Sequence, residues 1–241
     1  STACWNYYMN SMHQELNLLI YVSYACVALF GLLIGSFLHA SAYRLAHNVR
    51  VCTRRSHCPH CQATLAWYDL IPLISWLIVL RGRCRSCKQS IHVAYPAAEI
   101  ITAAIFLILF HMHLPAPIVL LSSDYLLTAL ITMCAPCLLA CALIVATITD
   151  LYDLSIPRCA SLWFMPVGII CALLQLVAVS PLESSIGASI GYASLWSVRK
   201  LSLLWYKQEG MGIGDAELLC MIGAFVGVRG VWYTIMLASF F

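Results

Sequence analysis

Four cysteines and two aspartates carry the spacing from which chemistry could be built. Cys58-Pro-His-Cys61 is followed, after 22 intervening residues, by Cys84-Arg-Ser-Cys87. Two such Cys-x-x-Cys knuckles supply four thiolates in a tetrahedron around zinc and leave no open position for water. The expected site is therefore structural. Arg81, Arg83, Arg85 and Lys88 surround the second knuckle, and nearby cations favour the thiolate form that binds metal. Four unpaired surface thiols are the plain alternative. His57 and His60 stand beside the first knuckle and read as surface residues, since four cysteines already complete a zinc site. Cys134-x-x-Cys137 has the same spacing, but it lies in an apolar run with Pro136 between its members, where cysteine packs as a small hydrophobe.

The chain has five aspartates. Asp150 closes an apolar run in Thr149-Asp-Leu-Tyr-Asp-Leu-Ser-Ile-Pro157, and Asp215 closes Gly210-Met-Gly-Ile-Gly-Asp215 and opens another. Acids at membrane depth are costly and count as functional candidates. Two carboxyl groups within hydrogen-bond reach share one proton, so the ionised member can take a proton from water while the protonated member polarises a carbonyl. That chemistry needs neither a side-chain nucleophile nor a catalytic metal. Blander roles remain open for both. Asp215 could be a helix N-cap, and Asp150 could be a surface acid paired with Arg158. Asp153, three residues on and close on a helical surface, rivals Asp150. Glu209 and Glu217 flank Asp215 and read as solvated surface acids. Glu99, at a membrane edge beside Pro96, reads as the structural partner of a loop arginine.

The elements that must position these residues are membrane helices. Of the residues, 62% are hydrophobic and 10% charged, against roughly 25% charged in an ordinary soluble domain. Mean hydropathy is +0.88. A soluble enzyme, a disordered chain and a secreted disulfide scaffold are excluded as readings, and a net charge of +3 does not point to nucleic acid. A spanning helix needs about 20 mostly apolar residues. Runs over 16–43, 100–114 (starting near 97), 125–149, 159–182 and 184–206 qualify. Residues 218–241 form either one span carrying Arg229 or two pieces hinged at 227–230. The expected fold class is an all-α polytopic membrane protein of about six or more transmembrane helices, with a small cytoplasmic zinc-binding loop domain. The divisions are 1–15 as an extracytoplasmic segment, 16–43 as the first span, 44–96 as the cysteine loop and 97–241 as the membrane core. Residues 1–15 have no basic n-region or small-residue cleavage site, so no signal peptide is read there.

Eight of the 13 lysines and arginines fall between Arg44 and Lys88. Positive residues collect in cytoplasmic loops, so this loop is expected inside and the N-terminus outside. Alternation puts 150–158 and 207–215 on the same cytoplasmic face. A reducing cytoplasm favours metal over disulfide for the quartet. The apolar stretch 67–80 between the knuckles is too short to cross a bilayer. It reads either as an interfacial or re-entrant segment or as the core of a small zinc domain.

Taken in order, the motifs resemble the type IV prepilin peptidase family. Gly31-Leu-Leu-Ile-Gly-Ser-Phe-Leu38 with Tyr43-Arg44 is similar to its first span. Ser56-His-Cys-Pro-His-Cys61, Trp67-Tyr-Asp-Leu-Ile-Pro72 with Ser75-Trp76, and Arg81-Gly-Arg-Cys-Arg-Ser-Cys87 are similar to its zinc loop. Tyr95-Pro-Ala-Ala-Glu99 resembles the entry to its second span. Asp150 with Pro157, and Gly210-Met-Gly-Ile-Gly-Asp215 with Leu218-Leu219, match its two catalytic segments. The resemblance implies catalytic roles for Asp150 and Asp215, selecting Asp150 over Asp153 by its distance from Pro157, and zinc ligation by Cys58, Cys61, Cys84 and Cys87. It implies cleavage of prepilin or pseudopilin leaders after glycine, by a multi-pass protein of the bacterial cytoplasmic membrane with its active site facing the cytoplasm. Its partners would be these substrates and the lipid bilayer, with no nucleic acid. Many members also N-methylate the new N-terminus with S-adenosylmethionine, and the resemblance makes Glu99 an alternative candidate for that chemistry. The sequence itself carries no Gly-rich fingerprint for that donor. It departs from the family at His39, where asparagine is common, and at Arg158, where aspartate or asparagine often follows the proline. A flagellin-precursor peptidase is a rival, opposed by the long cysteine loop; a non-enzymatic zinc-bearing assembly factor is another.

Overall fold

The computed structural model describes residues 2–47, 49, 58, 60–61, 63–64, 73, 76–77, 82–113, 123–207 and 211–240. Six helices follow one another: α1 (Thr2–Ala46), α2 (Ala94–His113), α3 (Ser123–Asp153), α4 (Phe164–Leu173), α5 (Pro181–Tyr206) and α6 (Ile213–Ala238). An isolated β-bridge joins Arg83 to Ser90. Outside 58–93 the described residues form helices and the turns that follow them. Most of 67–80 lies outside the described residues, as do His57, Arg50, Arg54, Arg55, Arg81, Glu209 and Gly210.

Among the described residues, four stretches are long and apolar enough to cross a membrane: Asn17–Ala46, Ala94–His113, Leu127–Asp153 and Ile213–Ala238. A 45-residue helix extends about 68 Å, more than twice the roughly 30 Å hydrocarbon core. Residues 1–15, expected as a separate segment, therefore continue α1 from Thr2 onward. Helix α5 has the length to span but carries Glu183, Arg199 and Lys200.

The run expected as a span over 159–182 contains only the ten-residue α4. A helix that short reaches about 15 Å. Its end has a local cause. Gln175 adopts a left-handed φ of 57°, its N–H donates to the Ala172 carbonyl at 3.1 Å, and the Leu176 N–H donates to the Cys171 carbonyl at 2.8 Å. These are the two hydrogen bonds of a Schellman stop, here without its usual glycine. Helix α5 then begins with a capping box, Ser180 receiving the Glu183 N–H and Glu183 receiving the Ser180 N–H, with Pro181 in the first turn.

The chain divides into two compact units, Ser1–Phe37 with Arg55–Met133 and Leu38–Arg54 with Cys134–Phe241. Helix α2, grouped by sequence with 97–241, belongs to the first. There Gly31 and Gly35 bring α1 onto α2, since a Cβ at Gly35 would stand 2.8 Å from the Glu99 Cα. In the second unit, α5 and α6 meet backbone to backbone. A Cβ on Gly187 would lie 2.5 Å from the Gly223 carbonyl oxygen, and one on Gly191 would lie 2.5 Å from the Leu219 oxygen. Gly187-x-x-x-Gly191 and Gly223-x-x-x-Gly227 are facing small-residue stripes of the kind that let membrane helices approach closely. The Ser184 hydroxyl donates across the seam to the Ala224 carbonyl at 2.6 Å. Gly227 itself has φ 71° and ψ −174°, a region essentially reserved for glycine. It kinks α6, so the hinge expected within 227–230 is present.

Because the Gly223 position meets backbone and not a flexible side chain, Gly223→Ala must push α5 away. The expected cost is about 1–3 kcal/mol, read as a lowered thermal midpoint in detergent. An unchanged midpoint would mean that the seam tolerates separation.

Candidate active site and metal centre

Asp150 and Asp215 line one cavity of about 390 Å³, together with Leu154, Ser155, Ile156, Arg158, Gly212, Ile213, Gly214 and Glu217. Every lining residue belongs to the second unit. Asp150 sits in the last turn of α3. The helix ends just beyond it, where Leu154 turns left-handed at φ 48° and donates its N–H to the Asp150 carbonyl at 2.9 Å. A carboxylate at a helix C-terminus meets the negative end of the dipole, so helix stability does not account for Asp150. Asp153 does not line the cavity; its Oδ2 accepts from the Ser155 hydroxyl at 3.0 Å.

Asp215 lies in the first turn of α6, but it is not the N-cap. Gly212 holds that position without a side-chain bond. The cap role open to Asp215 in the sequence is therefore taken by glycine, and its carboxylate remains directed at the cavity rim, where a Cβ on Gly212 would stand 3.6 Å from Oδ2. A Cβ on Gly214 would come within 3.1 Å of the Ile156 Cβ. The glycines thus let the segment after α3 lie against the start of α6.

Two further expectations are corrected. Arg158 pairs with Glu217 and not with Asp150: Arg158 Nε lies 3.4 Å from Glu217 Oε1. Glu217 is not a solvated surface acid, being 6% exposed, and the Ser161 hydroxyl donates to its other oxygen at 3.4 Å. On the flank of α3, Tyr152 packs edge-on against Tyr43 and His39, at centroid distances of 5.6 and 6.1 Å. Glu217 is legible in the sequence as a flank of Asp215 but not as a buried, paired acid, and Ser161 is not legible as its partner. For Glu217 the available signal is its place two residues after Asp215 in the first turns of α6.

The cysteine quartet comes together in the first unit. The sulfurs of Cys58, Cys61, Cys84 and Cys87 all lie within 4.8 Å of one another. Cys58 and Cys87 sulfurs are 3.8 Å apart, and Cys61 and Cys84 sulfurs 3.9 Å. Four sulfurs at about 2.3 Å from a tetrahedral zinc have edges of about 3.8 Å, so the donor set fits that ion. The second knuckle is a tight hairpin. The Cys84 N–H donates to the Gln89 carbonyl at 2.8 Å, the bridge joins Arg83 to Ser90, and Lys88 takes φ 60°. His60 stands outside the cluster.

The electrostatics of this cage call for a cation. Backbone N–H groups of Cys87 and Ser86, aided by the neighbouring thiols, hold the Cys84 thiol down at about 6. Cys87 receives a backbone bond from Gln89, which lowers it, but desolvation and the sulfurs of Cys84, Cys61 and Cys58 outweigh that bond and push it up to about 11. One thiolate forms readily and makes the next costly. A divalent ion removes that cost.

Glu99, on α2, does not pair with an arginine among the described residues. It is 7% exposed, accepts the Leu73 N–H at 2.8 Å and hydrogen-bonds Ser36. It ties a point in the cysteine loop to the helix crossing.

Residues 29–113 match the bacterial peptidase A24 N-terminal domain, and residues 137–241 match the type IV leader peptidase family. A prepilin leader peptidase/N-methyltransferase of Klebsiella pneumoniae is 33% identical over 88% of this chain and 88% of its own length. A type 4 prepilin-like proteins leader peptide-processing enzyme of Escherichia coli O78:H11 is 30% identical over 87% and 79%. A prepilin leader peptidase/N-methyltransferase of Pectobacterium carotovorum is 30% identical over 90% and 79%. No solved structure matches the chain. Two family matches in the order of the two units, and one-third identity across nearly the full length of a relative, give one conclusion: the chain belongs to the type IV leader peptidase family.

Proposed function

We propose that this protein is an endopeptidase of the bacterial cytoplasmic membrane that cleaves type IV prepilin or pseudopilin leaders after glycine. The observation that carries the reading is the shared cavity of Asp150 and Asp215 in a chain of this family. One carboxylate, ionised, takes a proton from water as the water oxygen attacks the scissile carbonyl carbon. The other, protonated, donates to the carbonyl oxygen. Collapse of the tetrahedral species breaks the C–N bond, and the proton taken from water passes to the departing amine. The exposed Gly212 leaves room for an extended substrate backbone.

The bias of eight basic residues toward 44–88 supports a cytoplasmic face for the cavity and the cysteine loop. The apolarity of α1, α2, α3 and α6 supports at least four crossings. A count of six or more rests on α5 and on the region around α4. The quartet holds a structural zinc ion, which fixes the loop and takes no part in hydrolysis.

The relatives' names support a second activity, N-methylation of the exposed N-terminus with S-adenosylmethionine as donor. No described residue is assigned to that donor. Incubating the purified protein with a prepilin, with and without the donor, separates the activities by mass. Loss of the leader mass in both arms is expected, and a gain of one methyl group only with the donor. Absence of cleavage by folded protein in both arms would favour the non-enzymatic assembly factor.

A further inference from the structure

Beside the two aspartates, the same cavity contains a third carboxylate and a guanidinium to which no role has been attached. Glu217 follows Asp215 by two residues on α6, and its side chain is 8% exposed, whereas that of Arg158 is 72% exposed. Burying a carboxylate without a partner is costly. Here one oxygen meets Arg158 Nε at 3.4 Å and the other receives the Ser161 hydroxyl at 3.4 Å. Both partners come from the segment between α3 and α4, the same segment that lays Ile156 against Gly214.

We propose that Arg158 and Glu217 are a positioning pair that sets the proton count of the Asp150–Asp215 cavity. Mechanically, the pair docks the segment leaving Asp150 onto the helix that begins at Asp215. Electrically, it balances the cavity. The charged groups lining it are Asp150 from α3, Asp215 and Glu217 from α6, and Arg158 from the connecting segment; Asp153 stands nearby, bonded to Ser155. Arg158 offsets the charge of Glu217, so on the aspartate-pair reading the cavity carries no third uncompensated anion. Without Arg158 the cavity lining holds three carboxylates and no cation. Without Glu217 a lone cation faces two.

The two halves of the pair therefore act in opposite directions. Removing the cation favours retention of the shared proton, so the alkaline limb of the cleavage profile moves to higher pH. Removing the anion leaves Arg158 uncompensated and favours loss of that proton, so the limb moves to lower pH. Arg158 is mostly solvated, which weakens its field. Shifts of roughly half a pH unit or more are expected in each direction.

The inference rests on the aspartate-pair reading, and the test separates the two. Single-turnover cleavage of a prepilin is followed against pH for the full-length protein in detergent, for Arg158→Gln, Glu217→Gln and the double variant, with Asp150→Asn as control. The expected result is an upward shift for Arg158→Gln, a downward shift for Glu217→Gln, and a double variant near the parent. A purely structural role lowers the rate in each variant without moving the limbs apart. Limbs that stay in place, or move in the same direction, overturn the proposal while an inactive Asp150→Asn leaves the peptidase reading intact. Full cleavage by Asp150→Asn instead sinks that reading. Arg158 is exposed and its variant should fold, so an unmoved or lowered limb in Arg158→Gln alone is decisive even if Glu217→Gln misfolds.

Discussion

Replacing either Asp150 or Asp215 with asparagine should abolish leader cleavage while leaving the protein folded. The substitution keeps size and shape, and both positions are exposed at the cavity, so no packing is lost. It removes the acid–base function, because an amide neither takes a proton from water nor donates one to a developing oxyanion. General acid–base groups contribute about 10²–10⁴-fold, and loss of one member of a pair that acts as a unit removes most of the effect of both. The cleavage rate should therefore fall by about 10³-fold or more in each single variant, with the double variant little worse. Rates come from mass analysis of a single turnover, and folding from the thermal midpoint in the same detergent. Activity within tenfold of the parent in either variant would remove that aspartate from the mechanism. Asp153→Asn, which touches a residue outside the cavity lining, should retain cleavage.

The second large effect is expected at the quartet. Metal analysis should find about one zinc per chain in the parent protein, and Cys58→Ser or Cys84→Ser should release most of it. Structural zinc in small peptides contributes apparent binding energies of about 10–16 kcal/mol. Much of the order in the loop is thus metal-dependent, and removal should expose the segment around 82–93 to proteolysis. The proposed hydrolytic groups, Asp150 and Asp215, belong to the other compact unit, so cleavage should suffer less than loop stability and the proposed methylation. A disulfide-linked quartet in freshly isolated, metal-free protein would contradict the assignment. So would a zinc content unaffected by both substitutions.

How far the sequence was legible differs between residues. The quartet was readable because Cys-x-x-Cys spacing is a covalent constraint: two residues in one turn must lie close, and only the pairing of the two knuckles needs the fold. The seam between α5 and α6 was readable but unread, since Gly187-x-x-x-Gly191 and Gly223-x-x-x-Gly227 are visible stripes. The end of α4 was not readable. Its stop depends on a left-handed Gln175, where the usual marker is glycine, and the apolar run continues through it. Hydropathy therefore joined what the backbone separates.

Composition and spacing by themselves determined that this is an apolar, helical chain with a four-sulfur site and two exceptional aspartates at the ends of apolar runs. Those properties follow from the chemistry of single residues and from short-range geometry. Only the tertiary structure decided which charges meet. From the sequence, Arg158 could pair with Asp150, and Glu217 could face water. The fold instead buries Glu217 and gives it both Arg158 and Ser161, leaving the aspartates in a common cavity. The reason is physical. Burial of an ionisable group depends on helices distant in sequence, and the partner that offsets its desolvation is chosen by their packing.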